Sequence, residues 1–238
     1  QTTRQRVQEA QAEPAILPDA NAHKDAFDLL ADAVTKLPNV PDLLYDHAMA
    51  AEKVDRLDVL ETSLRKLIEL RPDHAHAYNA LGYTLADRTD RLQEAHDLIG
   101  QALKLAPDDP FIQDSMGWVL YRLGRLDEGR AYLERAFKLR PDPEIAAHLG
   151  EVLWAQGQRD EAARIWRSTL QEHPGNETLQ AVIKKFTQWA GAFADDLRRW
   201  LDTRPPFGIA LDVLVRAGHG LAGAHRAGLV HGDFKPDN

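Results

Sequence analysis

Apolar residues recur along this chain at three- and four-residue spacing, in paired runs separated by short polar breaks. Residues 110–142 show the pattern clearly. Met116, Leu120 and Leu123 form one apolar helix face. The segment from Leu123 to Gly129 (LGRLDEG) breaks the run, and Tyr132, Leu133, Ala136, Phe137 and Leu139 form a second face. Pro141 stops the second helix. The spacing therefore predicts a helix–turn–helix hairpin. The hairpin recurs: Pro38, Pro72, Pro107, Pro141 and Pro174 lie 34, 35, 34 and 33 residues apart. Gly82, Gly117 and Gly150 keep the same step, as do Ala95, Gly129 and Ala162. Three kinds of marker on one period describe a repeat whose units must stack, because one hairpin cannot bury its own apolar face. Leu179, Val182, Ile183, Phe186 and Trp189 continue helical spacing over 177–194 and predict a capping helix. Residues 1–21 are polar, hold Pro14 and Pro18, and are expected to be a flexible lead-in.

The repeat resembles the tetratricopeptide repeat (TPR). Residues 75–109 match its pattern as Tyr78, Leu81, Gly82, Leu85, Ala95, Ile99, Ala102 and Pro107, with one extra residue in the inter-helix turn. Residues 110–142 match as Met116, Gly117, Leu120, Gly129, Leu133, Ala136 and Pro141, with Gln113 where the first aromatic belongs. Residues 143–176 match as Leu149, Gly150, Leu153, Ala162, Trp166 and Pro174. Residues 41–74 match more loosely, as Leu44, Ala48, Ala51, Leu64 and Pro72. A half repeat over 22–40 carries Ala26, Leu30, Ala33 and Pro38. The resemblance implies an all-α fold, an α-solenoid coiled as a right-handed superhelix. More narrowly, the text of 76–95 and 114–129 is similar to TPR proteins of proteobacteria, many of them exported lipoproteins.

The resemblance also implies a function. Repeats of this family act as protein-interaction scaffolds, holding a peptide or partner protein in a concave groove lined by the first helix of each hairpin. Groove-facing offsets fall on Tyr45, Met49, His76, Asn79, Tyr83, Phe111, Asp114, Trp118, Tyr121, Arg122, Glu151 and Trp154. Such a groove is aromatic with acidic edges. Aromatics are common interface anchors, although several of these positions could equally pack between hairpins. The basic clamp by which chaperone-binding relatives hold a C-terminal carboxylate has no counterpart here, so an apolar or basic segment suits the groove better. His74 and His76 lie at a turn without a third ligand, which argues against a metal.

Charge and composition sharpen this picture. The net charge is −8, which argues against a general nucleic-acid binder. No apolar run approaches the roughly 18 residues of a membrane span. With no cysteine, thiolate chemistry is excluded. Acids and bases balance over 195–238, so the whole negative charge belongs to 1–194. Six of the 15 glycines lie after residue 194. The chain starts at Gln1, and further residues are expected upstream.

The tail carries a second resemblance. The final residues, LVHGDFKPDN, resemble the catalytic loop of bacterial eukaryotic-like Ser/Thr protein kinases. The resemblance implies a partial kinase C-lobe over 195–238. His231 takes the place of the loop histidine and Asp233 that of the catalytic base. Lys235 would contact the transferred phosphoryl group, and Asn238 would hold Mg²⁺. Gly232 replaces the usual arginine. A Gly-rich phosphate loop on a strand, its lysine and an Asp-Phe-Gly are missing, so ATP and Mg²⁺ belong only to an intact parent kinase; none is expected as a cofactor here. The Gly218–Gly223 run spells G-x-G-x-x-G but follows no strand. Two origins fit: a truncated natural protein, or a join near 190–196, which the missing linker favours. The TPR resemblance implies a periplasmic or outer-membrane-anchored protein, and the kinase resemblance a cytoplasmic one.

Overall fold

The computed structural model describes residues 20–186, whose regular structure is helical throughout. They fall into two compact units that divide between Pro107 and Asp108. The first holds α1 (Ala20–Lys36), α2 (Pro41–Lys53), α3 (Leu57–Leu70), α4 (Ala75–Arg88) and α5 (Leu92–Leu105). In it α2 packs on α3 and α4 on α5 as hairpins, with α1 against α2 and α3 against α4. The second holds α6 (Pro110–Arg122), α7 (Leu126–Leu139), α8 (Pro143–Ala155) and α9 (Arg159–Glu172), and residues 177–186 are also helical. Here α6 pairs with α7 and α8 with α9, while α8 also touches α7 and α6.

The first helices start where the sequence offers caps. Proline opens α2, α6 and α8, where a missing N–H costs nothing. Asp109 accepts hydrogen bonds from the Phe111 and Ile112 amides at 2.9 and 3.1 Å. Asp142 accepts from the Glu144 amide at 2.9 Å. His74 Nδ1 does the same for the Ala77 amide at 3.1 Å, and Asn176 Oδ1 for Leu179 at 2.8 Å. Each satisfies an amide that a helix start would otherwise leave open.

The turns inside the hairpins hold three residues each. In three of them the middle residue has positive φ: Asp55 (58°), Gly124 (77°) and Gly157 (82°). The residue after it then bonds back into the first helix, as Arg125 N to Leu120 O and Gln158 N to Leu153 O, both 2.9 Å. The extra residue of the 75–109 repeat does not lengthen the turn, as the sequence suggested. It lengthens the helix: α4 has 14 residues where α2, α6 and α8 have 13. Thr89 then leaves the helix in extended conformation, its hydroxyl donating to Leu85 O at 2.7 Å. A second correction concerns the lead-in, since Ala20 and Asn21 already belong to α1. Of the capping helix expected over 177–194, residues 177–186 are helical and the rest lies outside the described residues.

The cores are built from the repeat's large and small positions. Leu60, Leu64, Leu67, Leu81 and Ile99 are fully buried in the first unit. Ile112, Leu120, Leu133, Ile145, Leu153, Trp166 and Leu179 are their counterparts in the second. Each contributes about 1.5–3 kcal/mol of burial. Glycine lets paired helices close up. A Cβ on Gly82 would lie 2.6 Å from Ile99 Cγ1 and 3.0 Å from Ala95 O. One on Gly117 would overlap Leu133 and lie 3.0 Å from Gly129 O. The 41–74 repeat has larger residues at both of these positions. Ala48 stands at the glycine position and Leu60 at the small position of the second helix, both fully buried. Those larger residues are why its sequence matches the pattern loosely. The most enclosed element is α8, buried at every residue from Ile145 to Ala155.

Candidate functional site

In the first unit the expected groove positions sit on α2 and α4. Tyr45 and Met49 are half-buried, as are Asn79 and Tyr83, and His76 is exposed. Tyr45 stacks on His74 with ring centroids 5.5 Å apart, so the capping histidine also holds the aromatic in place. Burial raises the Tyr45 pKa, and the Asp46 and Glu52 carboxylates raise it further. The two carboxylates put negative charge near the ring. One polar pair escaped the sequence reading. His47 is buried, its Nδ1 lies 3.0 Å from Ser63 Oγ, and its ring stacks on Phe27 at 5.3 Å. It occupies the repeat position held by Leu81, Met116 and Leu149, and burial lowers its pKa.

In the second unit the seven expected positions divide. Phe111 is 38% exposed, and the Arg140 guanidinium lies 4.9 Å from its ring centroid. Tyr121 and Arg122 are half-buried. Asp114, Trp118, Glu151 and Trp154 are buried. Trp118 stacks on His148 at 4.4 Å and meets Tyr121 at 5.2 Å. His148 Nδ1 contacts both Asp114 carboxylate oxygens, at 3.0 and 2.9 Å. Glu151 is met by Lys185 Nζ at 3.4 Å. Burial and the Glu151 carboxylate push the Tyr121 phenol up to about 12. Trp154 lies 5.8 Å from Trp166 and 5.4 Å from Phe186, with the Arg159 guanidinium 5.3 Å from its ring centroid. These four buried positions pack within the unit, because α8 is covered by α6 on one side and by residues 177–186 on the other.

His148 is the residue the sequence reading passed over in this unit. Its signal was a histidine within the apolar run from Ile145 to Leu149, 34 residues after an aspartate at a comparable helical position. Among the described residues no group of three His, Asp or Glu side chains is placed to hold a metal ion. The kinase-like residues Asp233, Lys235 and Asn238 lie outside the described residues. No helix among the described residues is long and apolar enough to cross a membrane.

Comparison with known proteins gives the same picture of the repeats. The tetratricopeptide-repeat family model matches residues 45–110 and 115–177. Over 139 residues the chain is 47% identical to a TPR repeat-containing protein of Pseudomonas aeruginosa, a match covering 58% of this chain and 24% of that one. The chain spans about a quarter or less of the length of the curated relatives it matches. Among solved structures, a thermophilic TPR protein of Thermus thermophilus superposes with a TM-score of 0.65 at 21% identity, covering 81% of this chain and 100% of that one. MamA of Desulfovibrio magneticus follows at 0.57 and 19%, covering 74% and 95%. At that identity the two structures speak for the fold.

Proposed function

The chain belongs to the tetratricopeptide-repeat family, and from that premise we propose that it is a protein-interaction scaffold whose first helices hold a segment of a partner protein. The observation that carries the reading is a set of aromatic side chains on first helices that their own unit leaves open in part. These are Tyr45 and Tyr83 in the first unit, and Phe111 and Tyr121 in the second. Aromatics of this kind provide large contact area at small entropic cost. The carboxylates beside Tyr45 favour a partner segment that brings apolar and basic side chains.

The test is capture of partners by the full chain, identified by crosslinking and mass spectrometry. Tyr83→Ala and Phe111→Ala should each weaken capture of a common partner at least several-fold. Arg135→Ala, on the exposed side of α7, should leave it unchanged. Equal capture by all three variants would overturn the reading. Trp118→Ala is a poor probe, because removing a buried, stacked indole costs about 3–5 kcal/mol of folding free energy. For residues 195–238 the reading is still that of the sequence, a motif like a kinase catalytic loop. A phosphotransfer assay on this chain should show no activity and ATP no thermal shift, and ATP turnover abolished by Asp233→Asn would overturn that expectation.

A further inference from the structure

His148 and Asp114 join α8 to α6, the first helices of consecutive hairpins in the second unit. Both side chains are more than nine-tenths buried, at 9% and 7% exposure. The imidazole has one face on Trp118, at 4.4 Å and 24° between planes. An ionised aspartate against one ring nitrogen and an indole against the ring face are both suited to an imidazolium. The contacts therefore match the charged form of the histidine better than the neutral one. We propose that His148 and Asp114 form a proton-operated lock between α6 and α8, closed while the imidazole carries its second proton and slackened when that proton is lost.

The groups that act on the ring come from every side of α8. Asp114 touches it from α6, and Glu144 and Glu151 act from α8 itself. Tyr121 on α6 and Lys185 on the last described helix lie against Glu151. From α7 and α9 the core receives Leu133, Ala162 and Trp166, none of them titratable. Burial pulls the His148 pKa down, Asp114 pulls it up with help from Glu144 and Glu151, and the net direction is up from 6.5. With the carboxylate on Nδ1, that nitrogen keeps its hydrogen in both states. The proton released to solvent comes from the other ring nitrogen. Loss of the proton thus leaves a hydrogen bond from a neutral imidazole to the Asp114 carboxylate and removes the ion pair and the charge over Trp118.

The sign follows from linkage. A raised folded-state pKa adds stability that is fully present below about pH 6.5 and lost as pH rises through the folded value. The lock belongs to the fold and operates whether or not the groove takes a peptide. Its first test is an NMR titration of the His148 ring in the full chain. The midpoint should lie above the ordinary histidine value of about 6.5. A ring that titrates at or below that value, or stays neutral from pH 5 upward, overturns the proposal. The second test is urea unfolding followed by tryptophan fluorescence, since all five tryptophans lie after residue 107. Between pH 6 and pH 8.5 the folding equilibrium of the native sequence should weaken more than that of His148→Gln or Asp114→Asn. The same weakening in all three proteins overturns the lock. If either variant fails to fold, the NMR titration of the native chain decides.

Discussion

Gly150 on α8 lies directly against the indole of Trp166 on α9, so closely that a Cβ on the glycine would overlap the ring. The indole N–H points the same way, donating to Ala147 O at 3.3 Å. Trp166 is 2% exposed and stacks with Trp154 and Phe186, so it cannot swing aside. Gly150→Ala should therefore destabilise the second unit by about 1–3 kcal/mol, the range of an overpacked core. Urea denaturation followed by tryptophan fluorescence reads this directly, and an unchanged midpoint would contradict the contact.

Two other glycines should respond with opposite signs. Gly124 holds φ +77° in the turn between α6 and α7. Alanine there should lose about 1–2 kcal/mol to the left-handed conformation, although nothing crowds its side chain. Gly100 sits inside α5 with open space around it. Gly100→Ala should raise stability by about 0.5–1 kcal/mol, because glycine gives up more chain entropy in a helix than alanine does. Thermal melts of the two single variants test the pair.

Asp109 satisfies two amides at the start of α6, and α6 carries five of the expected groove positions. Asp109→Ala should cost about 1 kcal/mol. Asp109→Asn keeps an acceptor oxygen at the cap and should recover most of that loss. Amide hydrogen exchange at Phe111 and Ile112 would locate the effect.

On the surface of the first unit, Arg65 and Arg91 interleave with Glu61 and Glu94 and tie α3 to α5. All four side chains keep solvent contact, so screening limits the gain. Arg91→Ala should cost less than about 1 kcal/mol, and less still in high salt. The hydrogen bond from Arg91, with that from Arg65, lowers the Glu61 pKa, and Arg65 and Arg91 lower that of Glu94. Lowered carboxylate values add stability above the unfolded range, near 4.5, that disappears as pH falls through the folded values. The acid transition of the Arg91 variant should accordingly begin at higher pH. Far-UV circular dichroism during acid titration would show it.

Much of this architecture is legible in the sequence, because the repeat writes its packing rule several times over. Pro72, Pro107, Pro141 and Pro174 all fall between helices, and Gly82, Gly117 and Gly150 all mark close approach to the second helix. A periodic offset names the first helix and the side of it that faces its partner. It does not say what the next hairpin lays over that side. Trp118 and Trp154 occupy groove offsets, yet neighbouring rings cover them. Asp114 and Glu151 read as acidic edges, yet each meets a basic side chain from another helix. These pairings join residues 34 apart, one repeat period, and the period names equivalent positions without saying which of them touch across hairpins.

The larger pair at Ala48 and Leu60 also sets where this chain could be cut and rejoined. Gly82 with Ala95, Gly117 with Gly129 and Gly150 with Ala162 pair two small residues, and Ala48 with Leu60 pairs a small residue with a large one. A recombinant joining α2 to α5 would set Ala48 beside Ala95 and leave the space of a leucine empty. The unit of inheritance is thus the whole hairpin rather than the helix, and the tolerated crossover points are the proline turns between hairpins.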